Sequence, residues 1–283
     1  MTADMKIIPL SAALGAEIRG VDLSQPLDDA TAAAIEAAWH EHIVLLFRDQ
    51  DIDENDQTAF AARFGNVGTR ARPPNRRPEG SDYNDAIMLV SNIKKDGQYI
   101  GSLPDGEMWF HHDMCYDPAP YKGTFLYAME LPSSGGHTLF ANMYKAYDAL
   151  DNGLKDRILG RKALQIYDFA TRETVDISGD ITKYKHEIQP VSITHPVTGR
   201  RALYVNPLIT ARIEDVPEDE SRAMLDELFA FAENSEIIYE HEWRVGDLMM
   251  WDNWCSCHAR TDFPAAERRM LRRCTVKGQP LHE

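Results

Sequence analysis

Long apolar runs are missing from this chain. Stretches such as Ile43–Phe47 and Leu248–Trp251 fall far short of the ~20 residues a membrane-spanning helix needs. Met1–Leu10 lacks the basic-then-apolar pattern of a secretory signal. Cysteine is scarce: four residues, Cys115, Cys255, Cys257 and Cys274, among 283. That is no disulfide framework, and a reduced, cytoplasmic protein is expected. Basic charge is in deficit, with 30 Lys and Arg against 45 Asp and Glu and a formal net charge of −15. Binding nucleic acid needs clustered Lys and Arg to neutralise phosphates. Neither nucleic acid nor membrane is therefore an expected partner, although a local basic pocket stays open. No period of roughly 20–50 residues repeats, which argues against a solenoid or propeller.

What is present is ordinary for a globular protein: 43% hydrophobic and 27% charged residues. The length suits one large domain or two small ones, and such a chain buries about three quarters of its unfolded surface. No break in composition marks a second domain, so residues 1–283 are expected to form one. Met5–Leu10 and Ala16–Val21 read as strands and Leu27–His42 as a helix capped by Asp28 or Asp29. Ile43–Arg48 reads as a buried strand and Asp53–Phe64 as a second helix, capped by Asp53 or Asn55 and stopped by Gly65.

Residues 66–107 break this rhythm. They carry Arg70, Arg72, Arg76 and Arg77 among Pro73, Pro74 and Pro78, and only Ile87–Ser91 reads as a strand. Long irregular segments in folded domains are commonly functional lids or disordered, so either a lid near a site or a plain surface excursion is expected here. Beyond residue 107 strands are expected at 108–113, 123–130, 137–141, 163–168, 188–194, 201–205, 236–243, 246–251 and 269–277. Helices are expected at 143–160 and 217–233. Many short strands with turn residues between them point to an antiparallel sandwich or barrel.

Two clusters carry chemistry. In His111-His112-Asp113 the alternation of an extended backbone sends His111 and Asp113 to one side and His112 to the other. An imidazole and a carboxylate converging from one strand supply two members of a two-His-one-carboxylate set, which leaves positions open on one side of Fe(II). Alone, such a triplet arises by chance. The second cluster is Trp251-Asp252-Asn253-Trp254-Cys255-Ser256-Cys257-His258. A lone histidine after a strand is more often packing or surface, but Arg269 and Arg273 follow it. On a strand these two share a face with Leu271, while Arg268, Met270 and Arg272 share the other. Arginines aimed into a barrel need anionic partners, because a buried unpaired charge is strongly destabilising. A bidentate carboxylate is the natural one.

At this point the chain resembles the taurine / 2,4-dichlorophenoxyacetate dioxygenase family of Fe(II)- and 2-oxoglutarate-dependent oxygenases. The matching residues are Trp109 to Asp113, Leu131 to Leu139, Thr194-His195-Pro196, Trp251-Asp252-Asn253 with His258, and Arg269 with Arg273. Gly15–Leu23 and Val44–Gly65 also fit, so the resemblance runs from about residue 6 to 280. It implies a double-stranded β-helix, a jelly roll that is mainly β with helices outside. It implies Fe(II), 2-oxoglutarate and O2 as cofactor and cosubstrates, with His111, Asp113 and His258 as iron ligands. Thr138 and Arg269 would hold the distal carboxylate of 2-oxoglutarate, and Arg273 a substrate carboxylate or sulfonate, with pairing to an internal Asp or Glu as its plainer role. The expected products are a hydroxylated substrate, succinate and CO2, with dealkylation where the hydroxylated carbon bears O, N or S. Asp113 stands where related halogenases lack a carboxylate, which favours hydroxylation. Homodimers or homotetramers are implied by analogy.

The taurine enzyme places a His, a Tyr and an Asn near the substrate amine. This chain aligns Arg70, Pro73 and Glu107 there, which argues against taurine itself. Arg70 is instead a candidate for a second anionic group. Tyr116, Phe169 and Ile209 fall in segments the family uses for the substrate wall, with core packing as their plainer role. An apolar-tailed carboxylate such as an aryloxyalkanoate fits. His112 is expected to face the barrel exterior or the lid, Cys115 to be a buried small hydrophobe, and His137 to sit in a surface turn. Two other readings remain: a non-catalytic small-acid-binding jelly roll, and a cupin-like hydrolase or isomerase in which Arg269 has no evident role.

Overall fold

The computed structural model describes residues 5–69, 83–103 and 105–283; Arg70, Arg72, Arg76 and Arg77 lie outside them. In chain order the first elements are β1 (Lys6–Pro9), β2 (Ala16–Arg19), α1 (Asp29–His42), β3 (Val44–Phe47) and α2 (Glu54–Ala62). Then come β4 (Met88–Ser91), a hairpin of β5 (Lys94–Lys95) and β6 (Gln98–Tyr99), β7 (Met108–His111), β8 (Gly123–Glu130) and β9 (Thr138–Asn142). Helices α3 (Met143–Ala149) and α4 (Asn152–Ile158) lead to β10 (Lys162–Tyr167), β11 (Lys185–Pro190), β12 (Ser192–Thr194), β13 (Arg201–Leu203) and β14 (Thr210–Ile213). The chain closes with α5 (Glu218–Ala232), β15 (Ile238–His241), β16 (Leu248–Asp252), β17 (Ser256–Arg260) and β18 (Met270–Val276).

The larger sheet has the order β1-β2-β3-β16-β8-β18-β4, and a smaller one the order β15-β9-β17-β7. Side-chain alternation on the larger sheet divides the core in two. Leu126, Ala128, Met249, Trp251 and Leu271 pack toward the smaller sheet, against Phe110, Phe140, Cys257 and Ala259. Phe125, Tyr127, Met250 and Cys274 face the other way, into a layer with Trp39 of α1 and Phe60 of α2. The result is the expected jelly roll, with α1 and α2 outside it. None of the described helices is long and apolar enough to cross a membrane.

Both N-terminal helices start at the first of their two expected caps. Asp28 accepts from the Thr31 amide at 2.8 Å, and Asp53 forms a capping box with Asp56. Other expectations need correction. The helix at 143–160 is two helices, because Leu150 turns extended and Asp151 caps a new start on the Leu154 amide. The strand at 188–194 breaks at Val191, whose amide bonds Arg161 and whose carbonyl takes the Tyr204 amide. Strands β14 and β17 and the β5–β6 hairpin were not expected. β17, Ser-Cys-His-Ala-Arg, has none of the β-branched residues that mark a strand in sequence.

Candidate metal centre

β17 runs antiparallel to β7 with His258 directly opposite His111, and their ring centroids lie 4.1 Å apart. Asp113 follows just past the end of β7. One ligand-capable atom from each of His111, Asp113 and His258 falls within a 4.8 Å group. Residues from distant parts of the sequence thus meet as expected.

Local hydrogen bonds prepare each group. Nδ1 of His111 lies 2.9 Å from the Trp109 carbonyl. A carbonyl only accepts, so Nδ1 carries the hydrogen and Nε2 keeps its lone pair. Asp113 Oδ2 accepts from Thr124 Oγ1 at 2.7 Å and from the Arg273 guanidinium at 2.7 Å. Oδ1 is left facing His111 Nε2 at 4.0 Å. His258 packs against Trp251, ring centroids 4.9 Å apart, and its Nδ1 is buried with no partner among the described residues. Burial pushes the pKa of His111 and His258 down, so both imidazoles are neutral near pH 7. Burial alone would raise Asp113, but Arg273, the two histidines and Thr124 outweigh it and hold the carboxyl well below the usual range. Two neutral imidazoles and a carboxylate converging on one point, one carrying an unpartnered nitrogen, fit a divalent ion of the Fe(II) type.

A second group, His40, His195 and Asp252, is equally close-set but does not suit an ion. Nδ1 of His195 accepts from the amides of Val197 and Thr198 at 3.2 and 3.1 Å. Its Nε2 therefore bears the hydrogen and donates it to Asp252 Oδ2 at 2.9 Å, leaving no lone pair for an ion. Asp252 Oδ1 also takes the Trp254 amide at 2.9 Å. This network shapes the turn between β16 and β17 that delivers His258. From the same turn Asn253 Nδ2 donates to Thr124 Oγ1 at 3.0 Å, completing a chain from Asn253 through Thr124 to Asp113. Asn253 stood in a matched motif without a role, and Thr124 gave no sequence signal.

Arg269, just before β18, is 2% exposed. One of its terminal nitrogens donates to the Gly136 carbonyl at 3.1 Å, and its Nε has no partner among the described residues. None of the described carboxylates forms an ion pair with it. Burial, with the charge of Arg260 as a lesser cause, pushes its pKa down to about 9. Gly136 sits at φ +66°, where a Cβ would come within 2.9 Å of that Nε, so a side chain there would displace the guanidinium. Thr138 is buried and accepts from Trp243 Nε1 at 3.0 Å, which leaves its own hydroxyl hydrogen free to donate elsewhere.

The substrate candidates are placed differently. Arg273 is tied to Asp113 through one nitrogen, and its other N–H groups remain available. Tyr116 is half-buried, its ring 5.3 Å from that of Tyr167, which lies 5.0 Å from Phe169. The Tyr167 hydroxyl, which sequence reasoning missed, is buried with no partner among the described residues. Ile209 is 1% exposed and part of the main core. His112 faces neither the exterior nor the lid. It is fully buried against Tyr204 and 3.2 Å from Cys257 Sγ, because its face of β7 is covered by the segment around Asn206. Cys115 is buried as expected, and His137 pairs with Glu240 at 2.6 Å.

Jelly-roll sheets bring two histidines and a carboxylate, from separate parts of the chain, around one point. Comparison with known proteins gives the family. The family described as "Taurine catabolism dioxygenase TauD, TfdA family" matches residues 6–275. The chain is 36% identical to pentalenolactone F synthase of Streptomyces avermitilis, over 99% of this chain and 97% of the relative. It is 33% identical to the (S)-phenoxypropionate/alpha-ketoglutarate-dioxygenase of Sphingobium herbicidovorans, over 100% and 98%. A crystal structure of a taurine dioxygenase from Burkholderia xenovorans superposes with TM-score 0.81 at 28% identity, covering 97% of this chain and 90% of the other. That of AAD-2 with Mn(II) and N-oxalylglycine gives 0.79 at 30% identity, covering 97% and 98%. The chain belongs to the TauD/TfdA family of dioxygenases.

Proposed function

We propose that this 2-oxoglutarate (α-ketoglutarate)-dependent dioxygenase uses Fe(II) held by His111, Asp113 and His258 to hydroxylate a small anionic substrate. The observation that carries this reading is Arg269: a buried guanidinium with no carboxylate partner among the described residues, in a fold that also assembles a donor set suited to iron. Bound Fe(II) with 2-oxoglutarate and O2 supplies the oxidation, releasing succinate and CO2. Arg269 and the free hydroxyl hydrogen of Thr138 anchor the distal carboxylate of 2-oxoglutarate by charge-assisted hydrogen bonds. The remaining N–H groups of Arg273 hold the anionic end of the substrate close to the metal. Tyr116 and Phe169, with Tyr167 between them, form an apolar wall, Ile209 closes it from the core side, and the Tyr167 hydroxyl meets an acceptor on the substrate. The chain is read as a single domain; the lid expected over 66–107, with Arg70, falls partly outside the described residues, and Met88–Ser91 within it belongs to the larger sheet.

Relatives named for phenoxypropionate and 2,4-dichlorophenoxyacetate and the aromatic wall favour an aryloxyalkanoate or another apolar-tailed carboxylate. For an aryloxyalkanoate, hydroxylation at the ether carbon ends in dealkylation. The enzyme is expected to be cytoplasmic and a homodimer or homotetramer. The test is succinate formation from 2-oxoglutarate with Fe(II) and ascorbate, across a panel of aryloxyalkanoates, alkyl carboxylates and sulfonates. Succinate coupled to loss of one anion class supports the reading. No succinate with any of them favours a small-acid-binding protein.

A further inference from the structure

Arg260 lies at the end of β17, two residues past His258, and is buried. Its guanidinium pairs with none of the described carboxylates. It donates instead to three backbone carbonyls of the segment that enters β7: Leu103 at 2.8 Å, Asp105 at 2.9 Å and Gly106 at 2.9 Å. That backbone is strained at Leu103, a non-glycine residue at φ +54°. Among the described residues, Ser102 also bonds the Leu89 carbonyl at 2.8 Å and accepts from the Ser91 amide at 3.2 Å, and Tyr99 Oη donates to Asp105 at 2.7 Å. A planar fork donating to three carbonyls at once is a geometry that lysine cannot copy.

Arg260 is also linked to Arg269. The guanidinium carbons of Arg260 and Arg269 lie 5.5 and 5.6 Å from the centre of one ring, that of Phe263. Two buried like charges therefore share one aromatic side chain. One sits at the cosubstrate anchor, and the other holds the backbone leading to His111. Without an anion at Arg269 the two repel in a poorly screened setting. A carboxylate there cancels much of that repulsion and lets Arg260 grip its carbonyls more tightly.

We propose that Arg260 is a positioning residue that couples occupation of the Arg269 carboxylate site to ordering of the backbone at Leu103, Asp105 and Gly106 and of β7. The inference rests on the reading of Arg269 as the 2-oxoglutarate anchor. Coupling of this kind is reciprocal, so tightening that backbone also strengthens cosubstrate binding.

Hydrogen exchange on the Mn(II)-loaded full chain, with and without N-oxalylglycine, tests it. In the unsubstituted protein the ligand slows exchange of the Asp105–Phe110 amides about tenfold, within the range common for coupled sites. Arg260→Met binds the ligand more weakly and loses that ligand-dependent slowing, and Arg260→Lys does not restore it. Phe263→Leu, which leaves the Arg260–carbonyl bonds in place, also loses it, and serves should Arg260→Met fold poorly. Ligand binding with unchanged exchange at these amides, or full slowing in Arg260→Met or Phe263→Leu, overturns the coupling and leaves the cosubstrate site standing. Failure of N-oxalylglycine to bind at all overturns the reading of Arg269 and the coupling with it.

Discussion

Arg273 and Thr124 both donate to Oδ2 of Asp113, at 2.7 Å each, so that Oδ1 alone faces Nε2 of His111. The carboxylate is thereby divided, one oxygen engaged by the protein and the other turned toward His111. Thr124→Val removes a donor and frees the carboxylate to rotate. Metal affinity is expected to fall about 10–100-fold, the usual effect of losing such a partner, with the fold intact. Competition against a chelator measures it; unchanged affinity would show that Thr124 does not orient the ligand.

Asp113→Ala leaves the half-buried Arg273 without its partner, which should destabilise the fold, though by less than the ~3–5 kcal/mol of a fully buried pair. Asp113→Asn keeps an acceptor for Arg273 and removes the charge. Both variants should lose stoichiometric metal, and Asp113→Asn should unfold at the higher temperature. Metal content and thermal melts distinguish loss of the site from loss of the fold.

Arg269→Met is expected to act in opposite directions on two measurements. Replacing a buried, unpaired cation with an apolar chain is commonly neutral or stabilising, so the cosubstrate-free protein should melt no earlier than the parent. The 2-oxoglutarate requirement should rise about 10–100-fold, corresponding to ~1.5–3 kcal/mol of charge-assisted hydrogen bonding. A marked fall in melting temperature without a change in requirement would assign Arg269 to structure alone.

Substrate binding should report on Arg273. Arg273→Met is expected to raise KM for the anionic substrate about tenfold or more, with a smaller effect on the 2-oxoglutarate requirement. Equal KM values in variant and parent would remove the basis for an anionic substrate.

Stability should fall with acidity through the buried histidines. Burial pushes the pKa of His112 down to about 3 from an ordinary 6.5. Below about pH 6.5 the unfolded chain takes up a proton that the folded chain refuses. This group's contribution is therefore present above that pH and is lost toward about pH 3, at ~1.4 kcal/mol per pH unit. His111 and His258 shift in the same direction. Denaturant unfolding of metal-free protein at about pH 5 and pH 7 should show the decline, and His112→Gln should make it shallower. An identical slope in that variant would contradict the assignment.

The parts of this protein legible in sequence are those written in local patterns. The Asp28 and Asp53 caps and the apolar run of β8 follow from neighbours along the chain; His111 and Asp113 do meet, although β7 ends at His111 and not at 113. β17 did not, because Ser256, Cys257 and His258 carry little strand preference and are extended only by pairing with β7 and β9. His112 was misplaced for a related reason: alternation gives its direction but not what covers that face, and here Tyr204 and Asn206 do. Thr124 and Arg260 act through partners far away in sequence, Asp113 and the carbonyls of Leu103, Asp105 and Gly106. The joint motif pattern picked out His111, Asp113 and His258, which the fold brings together, whereas the partner of Arg273, Asp113, showed only in three dimensions.

The most direct test is an anaerobic titration of the metal-free protein with Fe(II) and 2-oxoglutarate, followed by the metal-to-ligand absorption band. One band per chain is expected, weakened in Arg269→Met, absent in Asp113→Ala, and perturbed by the anion class that serves as substrate. A correctly folded protein that binds Fe(II) yet gives no band at saturating 2-oxoglutarate would contradict the shared site.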